Sequence, residues 1–374
     1  MIKNIAGVPR AAVALLGALA LLLGLWAAAP GSARADGAAE AEGAPRAADR
    51  TALAFAGKAD WREVAFDAAS ALGGFSASRG AAPVSDVQPL NTPGGWASTN
   101  GGTTGGAGGQ TVTVTSAAQL RDAISSSSVL TIRVSGTINW SGMNRVQSNK
   151  TIVGVGSNAT IAGGGFDINN ARNVIIRNIT FRNWDDDAIN LQNGARNVWI
   201  DHNSFTNGYD GAVDIKRESD FVTVSWNHFY NHDKTALLGH SDSHTADRGH
   251  LRVTYHHNWF DGTHTRHPRV RFGNPVHVYN NYFLNNREYG VASTMGAGVL
   301  VEGNYFEGVR NPTHVGYASS GPGALVARNN HFVNSGTPET GGSVASIPYS
   351  YSLTPASGVR DLVRSGAGAG RISP

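Results

Sequence analysis

A chain of 374 residues with no cysteine has room for one large domain or two ordinary ones, and must hold them together without disulfides, thiolate metal sites or a cysteine nucleophile. Its 30 Lys and Arg stand against 27 Asp and Glu, but residues 1–35 carry Lys3, Arg10 and Arg34 and no acid, so the remainder balances (30 − 3 = 27 bases, 27 acids). That balance argues against long-range attraction to nucleic acid and leaves anion binding to local clusters.

The first 35 residues read as an export signal: basic Lys3 and Arg10, an apolar run from Ala11 to Ala29, then Ala33-Arg34-Ala35 ahead of the expected cleavage. A secreted, extracellular protein with no membrane anchor in its mature form follows. Residues 36–86 are Ala- and Gly-rich with scattered charge and read as a flexible segment, with one short helix conceivable over Asp60–Leu72. The body of the protein is expected over 87–374. Gly94–Gly109 is rich in Gly and Thr, and Thr111–Thr115 alternates as a strand does. Ser116 and Gln119 form a capping box for a short helix, placed to cover the open end of the β-structure behind it.

Short β-branched runs then follow at Thr131–Val134, Thr151–Val155 and Val174–Ile176. From there an Asn-X-Phe element recurs at Asn203, Asn227, Asn258, Asn281, Asn304 and Asn330, with steps of 24, 31, 23, 23 and 26 residues. Phe181 precedes Phe205 by a further 24. The apolar residues alternate instead of recurring at three and four, which excludes helical repeats. A period of this size built on short strands predicts a parallel β-helix, a solenoid of roughly 23–26-residue coils with the short helix as its N-terminal cap. The Phe residues should stack inside, the Asn side chains should form a ladder at a tight bend, and the 31-residue step should be a loop insertion.

Stacked coils bring residues one period apart to roughly 5 Å. Asp187, or its neighbours Asp185 and Asp186, then falls near Asp210 and Asp214, and a self-repelling carboxylate cluster suits a hard cation with oxygen ligands, Ca²⁺ above all. Lys234, Arg266, Arg269 and Arg271 form a basic set stiffened by Pro268, suited to holding carboxylates. Nine of the 13 histidines lie between His228 and His267. They sit among strands and turns and read as hydrogen-bonding stack residues, not zinc ligands.

These stretches resemble the pectate lyases of polysaccharide lyase family one. The resemblance rests on Val198-Trp-Ile-Asp-His202, Asp210-Gly-Ala-Val-Asp214, Val222-Thr-Val-Ser-Trp-Asn-His-Phe229, His232-Asp-Lys-Thr235, Arg266-His-Pro-Arg-Val-Arg-Phe-Gly273 and His277-Val-Tyr-Asn-Asn281, and covers roughly residues 95–370. It implies a right-handed parallel β-helix and a Ca²⁺-assisted β-elimination on polygalacturonate, leaving 4,5-unsaturated oligogalacturonates. By position, Asp187, Asp210 and Asp214 resemble the calcium ligands, with Asp185 as an additional one, and the Asp185-Asp186-Asp187 run leaves the first ligand open. Arg266 resembles the catalytic base; Lys234 and Arg271 resemble the holders of the substrate carboxylate.

The chemistry agrees with the resemblance. Removing the C5 proton beside a uronate carboxylate builds enolate charge, which neighbouring cations stabilise. Arginine ordinarily keeps its proton to beyond pH 12, so a base at Arg266 implies an alkaline optimum. Pectin lyase action on methylated polymer would not need the Asp cluster. Hydrolysis by paired carboxylates would leave Lys234, Arg266 and Arg271 unexplained, and a non-catalytic polysaccharide-binding β-helix would need neither set. No protein partner is indicated, and the chain is read as a monomer.

Overall fold

The computed structural model describes residues 92–373. The export signal, the 36–86 segment and the helix expected within it lie outside these residues. The described chain is a parallel β-solenoid: each coil adds one short strand to each of three faces, and every strand pairs in parallel with its counterparts in the coils before and after. One face is a ten-stranded sheet. The other two belong to a single fifteen-stranded sheet, bent along the strand Thr160–Asn169, whose beginning pairs with Thr180–Arg182 and whose end pairs with Ile189–Gln192.

Strand alternation builds the interior. In the ten-stranded sheet Ile152, Ile176, Ile200, Val224, Tyr255, Val278 and Val301 fall in one register column, each side chain fully buried. Across from it the Phe positions of the repeat stack as expected, with ring centroids 5.1 Å apart for Phe181–Phe205, 4.9 Å for Phe205–Phe229 and 4.4 Å for Phe283–Phe306. Burying one such ring contributes roughly 1.5–3 kcal/mol, and its aromatic neighbours add to that.

The Asn ladder is also present. Asn203 Nδ2 donates to Asn227 Oδ1 at 3.1 Å, and the bond repeats from Asn227 to Asn258, Asn281, Asn304 and Asn330 at 3.0 Å per step. Each of these oxygens also accepts from the backbone N–H of the preceding ladder residue, so buried polar groups at the bend are satisfied by the next coil. The residue before each ladder position takes the left-handed conformation, with φ of 50° at His202, 53° at Trp226 and 53° at His257. That conformation costs a bulky residue about 1–2 kcal/mol; here the ladder holds the bend and the rings stack, with Trp226 4.4 Å from His257.

The capping helix is Ala117–Ser125, with Ser116 Oγ accepting from Gln119 N at 3.3 Å. Gln119 reaches back to Thr115 N at 2.9 Å, one residue earlier than in a standard capping box. Leu120, Ala123 and Ile124 close the end of the core. A second helix, Ala356–Gly366, was not legible in the sequence; it packs Val359 and Val363 on Tyr282 and Tyr305 at the outside of the Phe-bearing face. No described helix is long and apolar enough to cross a membrane.

Candidate active site

The third face carries the charged residues singled out from the sequence. Its strands include Ile189–Gln192, Val213–Ile215, Leu237–Leu238 and Arg269–Arg271. Ile189, Leu191, Val213, Ile215, Leu238 and Val270 point into the core, so the residues between them point out. Register sets Asp167, Asn190 and Asp214 in one outward column and Leu237 opposite Arg269 in the same direction further along. Carboxylates occupy one stretch of the face and guanidinium groups the next.

Asp187 and Asp214 are almost fully buried. Burial pushes the Asp187 carboxyl well above the ordinary range, and Asp214 adds to the push while Lys216 opposes it. Burial likewise raises Asp214, against Lys216 and Arg266. Lys216 Nζ lies 3.3 Å from Asp187 Oδ2; burial works against its charge, but Asp187 and Asp214 outweigh burial and hold its proton more firmly than usual. Asp210 Oδ1 is buried without a hydrogen bond, 3.3 Å from Lys234 Nζ and 3.7 Å from an Arg266 terminal nitrogen. Two members of the basic set, Lys234 and Arg266, thus pair with the acidic one.

Local backbone structure fixes Arg266. It has φ of 66°, its N–H donates to Tyr289 Oη at 3.2 Å, and its carbonyl accepts from Ala236 N at 2.8 Å. His267 behind it is wholly buried, between Tyr289 O and Thr263 Oγ1, each at 2.8 Å. Burial lowers its pKa to about 3, so it is neutral at ordinary pH. Since a carbonyl only accepts, Nδ1 carries the proton and Nε2 receives the threonine hydroxyl. Gly211 supplies room beside Asp214: a Cβ there would collide with the Asp214 carboxylate.

A family model described as pectate lyase matches residues 81–372. The pectate trisaccharide-lyase of Bacillus licheniformis is 39% identical over 301 residues, covering 75% of this chain and 87% of that protein. The probable pectate lyase A of Aspergillus flavus is 41% identical over 285 residues, covering 73% and 87%. The chain belongs to the pectate lyase family. Among solved structures, a pectate lyase from Bacillus sp. N165 in complex with trigalacturonate superposes with a TM-score of 0.69 at 35% identity, over 75% of this chain and 99% of that one. Pectate lyase II from Xanthomonas campestris pv. campestris gives 0.62 at 30%, over 75% and 99%. The enzyme is a polysaccharide lyase.

The donor set at its acidic stretch fits a hard cation: three carboxylates, no imidazole or sulfur among them, and a buried Asp210 oxygen that has ion-pair neighbours but no hydrogen bond. The three do not form a closed cage. Among the described residues the His/Asp/Glu trio with ligand atoms within 4.8 Å of one another is Glu218, His244 and Asp247. Asp187 and Asp210 instead lean on separate cations, as like charges do when counter-charges are at hand. Asp185 accepts from Gly142 N at 3.2 Å and adds to the charge at Asp186, while Asp186 adds to the push on Asp187. Arg271 lies further along the face, its Nε 2.6 Å from Asp242.

Two site residues escaped the sequence reading. Lys216 had a signal, since it stands two after Asp214 and therefore on the same side of the strand. Asp242 had none, because it lies in the 31-residue step, where no repeat gives a register. Of the crowded histidines, His228 bonds Asp261 at 3.0 Å and stacks on Trp259, while His232 bonds Lys234 O at 2.8 Å.

Proposed function

We propose that the enzyme cleaves α-1,4-linked polygalacturonate by Ca²⁺-dependent β-elimination, with residues 87–374 as the catalytic body and 1–35 directing it outside the cell. The observation that supports this best is the Asp210 carboxylate with Lys234 and Arg266 on one oxygen and the buried Asp187–Lys216–Asp214 group beside it. A polyanionic substrate needs such a face, because its carboxylates require cations and its C5 proton requires a nearby base. Trigalacturonate in the similar Bacillus sp. N165 lyase supports this substrate class.

In this reading Arg266, in its neutral form, takes the C5 proton. The electron pair left behind forms the C4=C5 double bond, and the C4–O bond to the leaving sugar breaks. Lys234 and Arg271 hold the uronate carboxylate, whose oxygens carry the charge that develops, and Arg271 suits two-point contact. Asp187, Asp210 and Asp214 would hold a calcium ion, with Lys216 offsetting the excess negative charge, and the ion when bound supplies positive charge that acidifies the C5 proton. A bound calcium ion with Lys234 and Arg271 would favour the neutral guanidine against the Asp210 carboxylate 3.7 Å away, so the rate should rise toward alkaline pH.

The test is ultraviolet absorbance of polygalacturonate incubated with the enzyme, with Ca²⁺ and then with a chelator. Absorbance that rises with calcium and stops with chelator supports the reading. A rise indifferent to chelator and strongest on methylated pectin would make it a pectin lyase; new reducing ends without absorbance would mean hydrolysis and overturn it.

A further inference from the structure

The loop insertion between Asn227 and Asn258 reaches the basic end of the face. It begins at Gly239, whose φ is 99° and where a Cβ would stand 2.6 Å from the Arg271 Cβ, so only a residue without a side chain passes this close. Its base is pinned by Asp247, fully buried, whose two oxygens accept from Glu218 N at 2.7 Å and His240 N at 2.9 Å. Between these anchors the insertion carries Asp242 to Arg271. Asp242 Oδ1 accepts from Arg271 Nε at 2.6 Å and from Ser320 Oγ at 2.8 Å, and Ser320 Oγ in turn accepts from an Arg269 terminal nitrogen at 2.7 Å. Ser320 comes from a separate turn, closed by paired backbone hydrogen bonds with Tyr317. Two loops from different coils thus meet on the outward arginines of one strand.

The edge of Arg271 that Asp242 takes is informative. A guanidinium has five N–H donors; the Nε bond uses one and leaves the four on the two terminal nitrogens. One hydrogen from each terminal nitrogen forms the edge that grips a carboxylate at two points. A free guanidinium turns about its stem and presents either edge. One held at Nε presents only the terminal pair.

We propose that Asp242 is the positioning residue for Arg271, fixing the guanidinium by its Nε so that the terminal edge is preorganised for a galacturonate carboxylate. The inference rests on the reading of Arg271 as a holder of that carboxylate. It makes the insertion part of the substrate-binding apparatus, with Asp247 keeping the insertion in place and Ser320 bracing Asp242 from the far side.

Steady-state kinetics on polygalacturonate at fixed Ca²⁺ test it with the full chain. Asp242→Ala is expected to raise KM about 10-fold with kcat changed less than about 3-fold, and Asp242→Asn, which keeps an acceptor for Nε, to recover most of the loss. In an Arg271→Ala background the Asp242→Ala change should add less than about 2-fold, because the group it positions is gone. Ser320→Ala, which leaves the insertion covalently and electrostatically intact, should raise KM about 3-fold and serves if the Asp242 variants fail to fold. Arg271→Ala with an unchanged KM would overturn the carboxylate-holding reading itself. Arg271→Ala with a raised KM but Asp242→Ala and Ser320→Ala both at the parent KM would leave that reading standing and overturn the positioning role. Equal KM increases from Asp242→Ala with and without Arg271 would also overturn it, since the aspartate would then act elsewhere.

Discussion

Two faces of the solenoid share one register rule and use it in opposite ways. On the Phe-bearing face and the bend beside it, stacking like on like is favourable: rings pack on rings about 5 Å apart, and each Asn amide donates to the next Asn oxygen. On the charged face the same stacking would set carboxylate on carboxylate and guanidinium on guanidinium. There the column runs Asp167, Asn190, Asp214, and the next coils bring Leu237 and Arg269. The solenoid tolerates this because its stability comes from the repeating side, which lets the other side hold raised carboxyls and crowded cations. Structure and chemistry are divided between faces, not between domains.

Substitutions at single positions can break that division. The largest expected effect is on activity alone. Arg266→Ala should lower kcat about 10³- to 10⁴-fold, as loss of a general base does, while the unfolding transition moves little and polymer binding persists. Collapse of the fold in this variant would mean that Arg266 belongs to the structural side after all. Conversely, Asn258→Ala should cost about 4 kcal/mol in denaturant unfolding, because it strips the acceptor from both Asn227 N and Asn227 Nδ2 in a fully buried place. The folded fraction should retain near-parent kcat; a loss of kcat as large as that of Arg266→Ala would erase the distinction between faces.

Lys216→Met sharpens the comparison, since Lys216 is a structural cation inside the chemical face. Removing it leaves Asp187 and Asp214 buried and facing each other, which should cost about 3 kcal/mol. Millimolar Ca²⁺ should restore part of this in the same unfolding measurement, and no calcium response would argue against the carboxylates as its ligands.

The smallest effect concerns pH. Burial lowers His257 and His267 to about 3. They stay neutral in the fold, whereas the unfolded chain binds protons below about pH 6.5; stability therefore falls as pH drops from about 6.5 toward 3. Asp187 and Asp214, raised in the fold, act with the opposite sign. His256, also pressed well down, joins the majority. Melting followed from pH 7 to pH 4.5 should show a net fall of about 5 °C, and a rise would mean that the aspartates dominate.

How much of this was legible follows from the same contrast. The Asn-X-Phe spacing revealed the coils, the ladder and the position of the insertion, because like residues recur where like residues stack. The acidic and basic groups were legible as types and as motif stretches, and Lys234 and Arg266 do meet Asp210. Lys216 was passed over because it occurs once, although its place two after Asp214 marked it, and the order within Asp185-Asp186-Asp187 stayed open because three adjacent aspartates look equivalent until the chain direction separates them.

The sequence by itself determined the solenoid, its period, the buried columns and the kind of chemistry the charged face can carry. All of these depend on local alternation and on repetition at a distance of one coil. Only the tertiary structure decided which charges pair: Lys216 with Asp187, Lys234 and Arg266 with Asp210, Asp242 with Arg271. Those pairings join residues 24 to 56 positions apart through bends and an insertion that carry no repeat. A long side chain reaches across coils to the charge that is nearest in space, and the period does not record that distance.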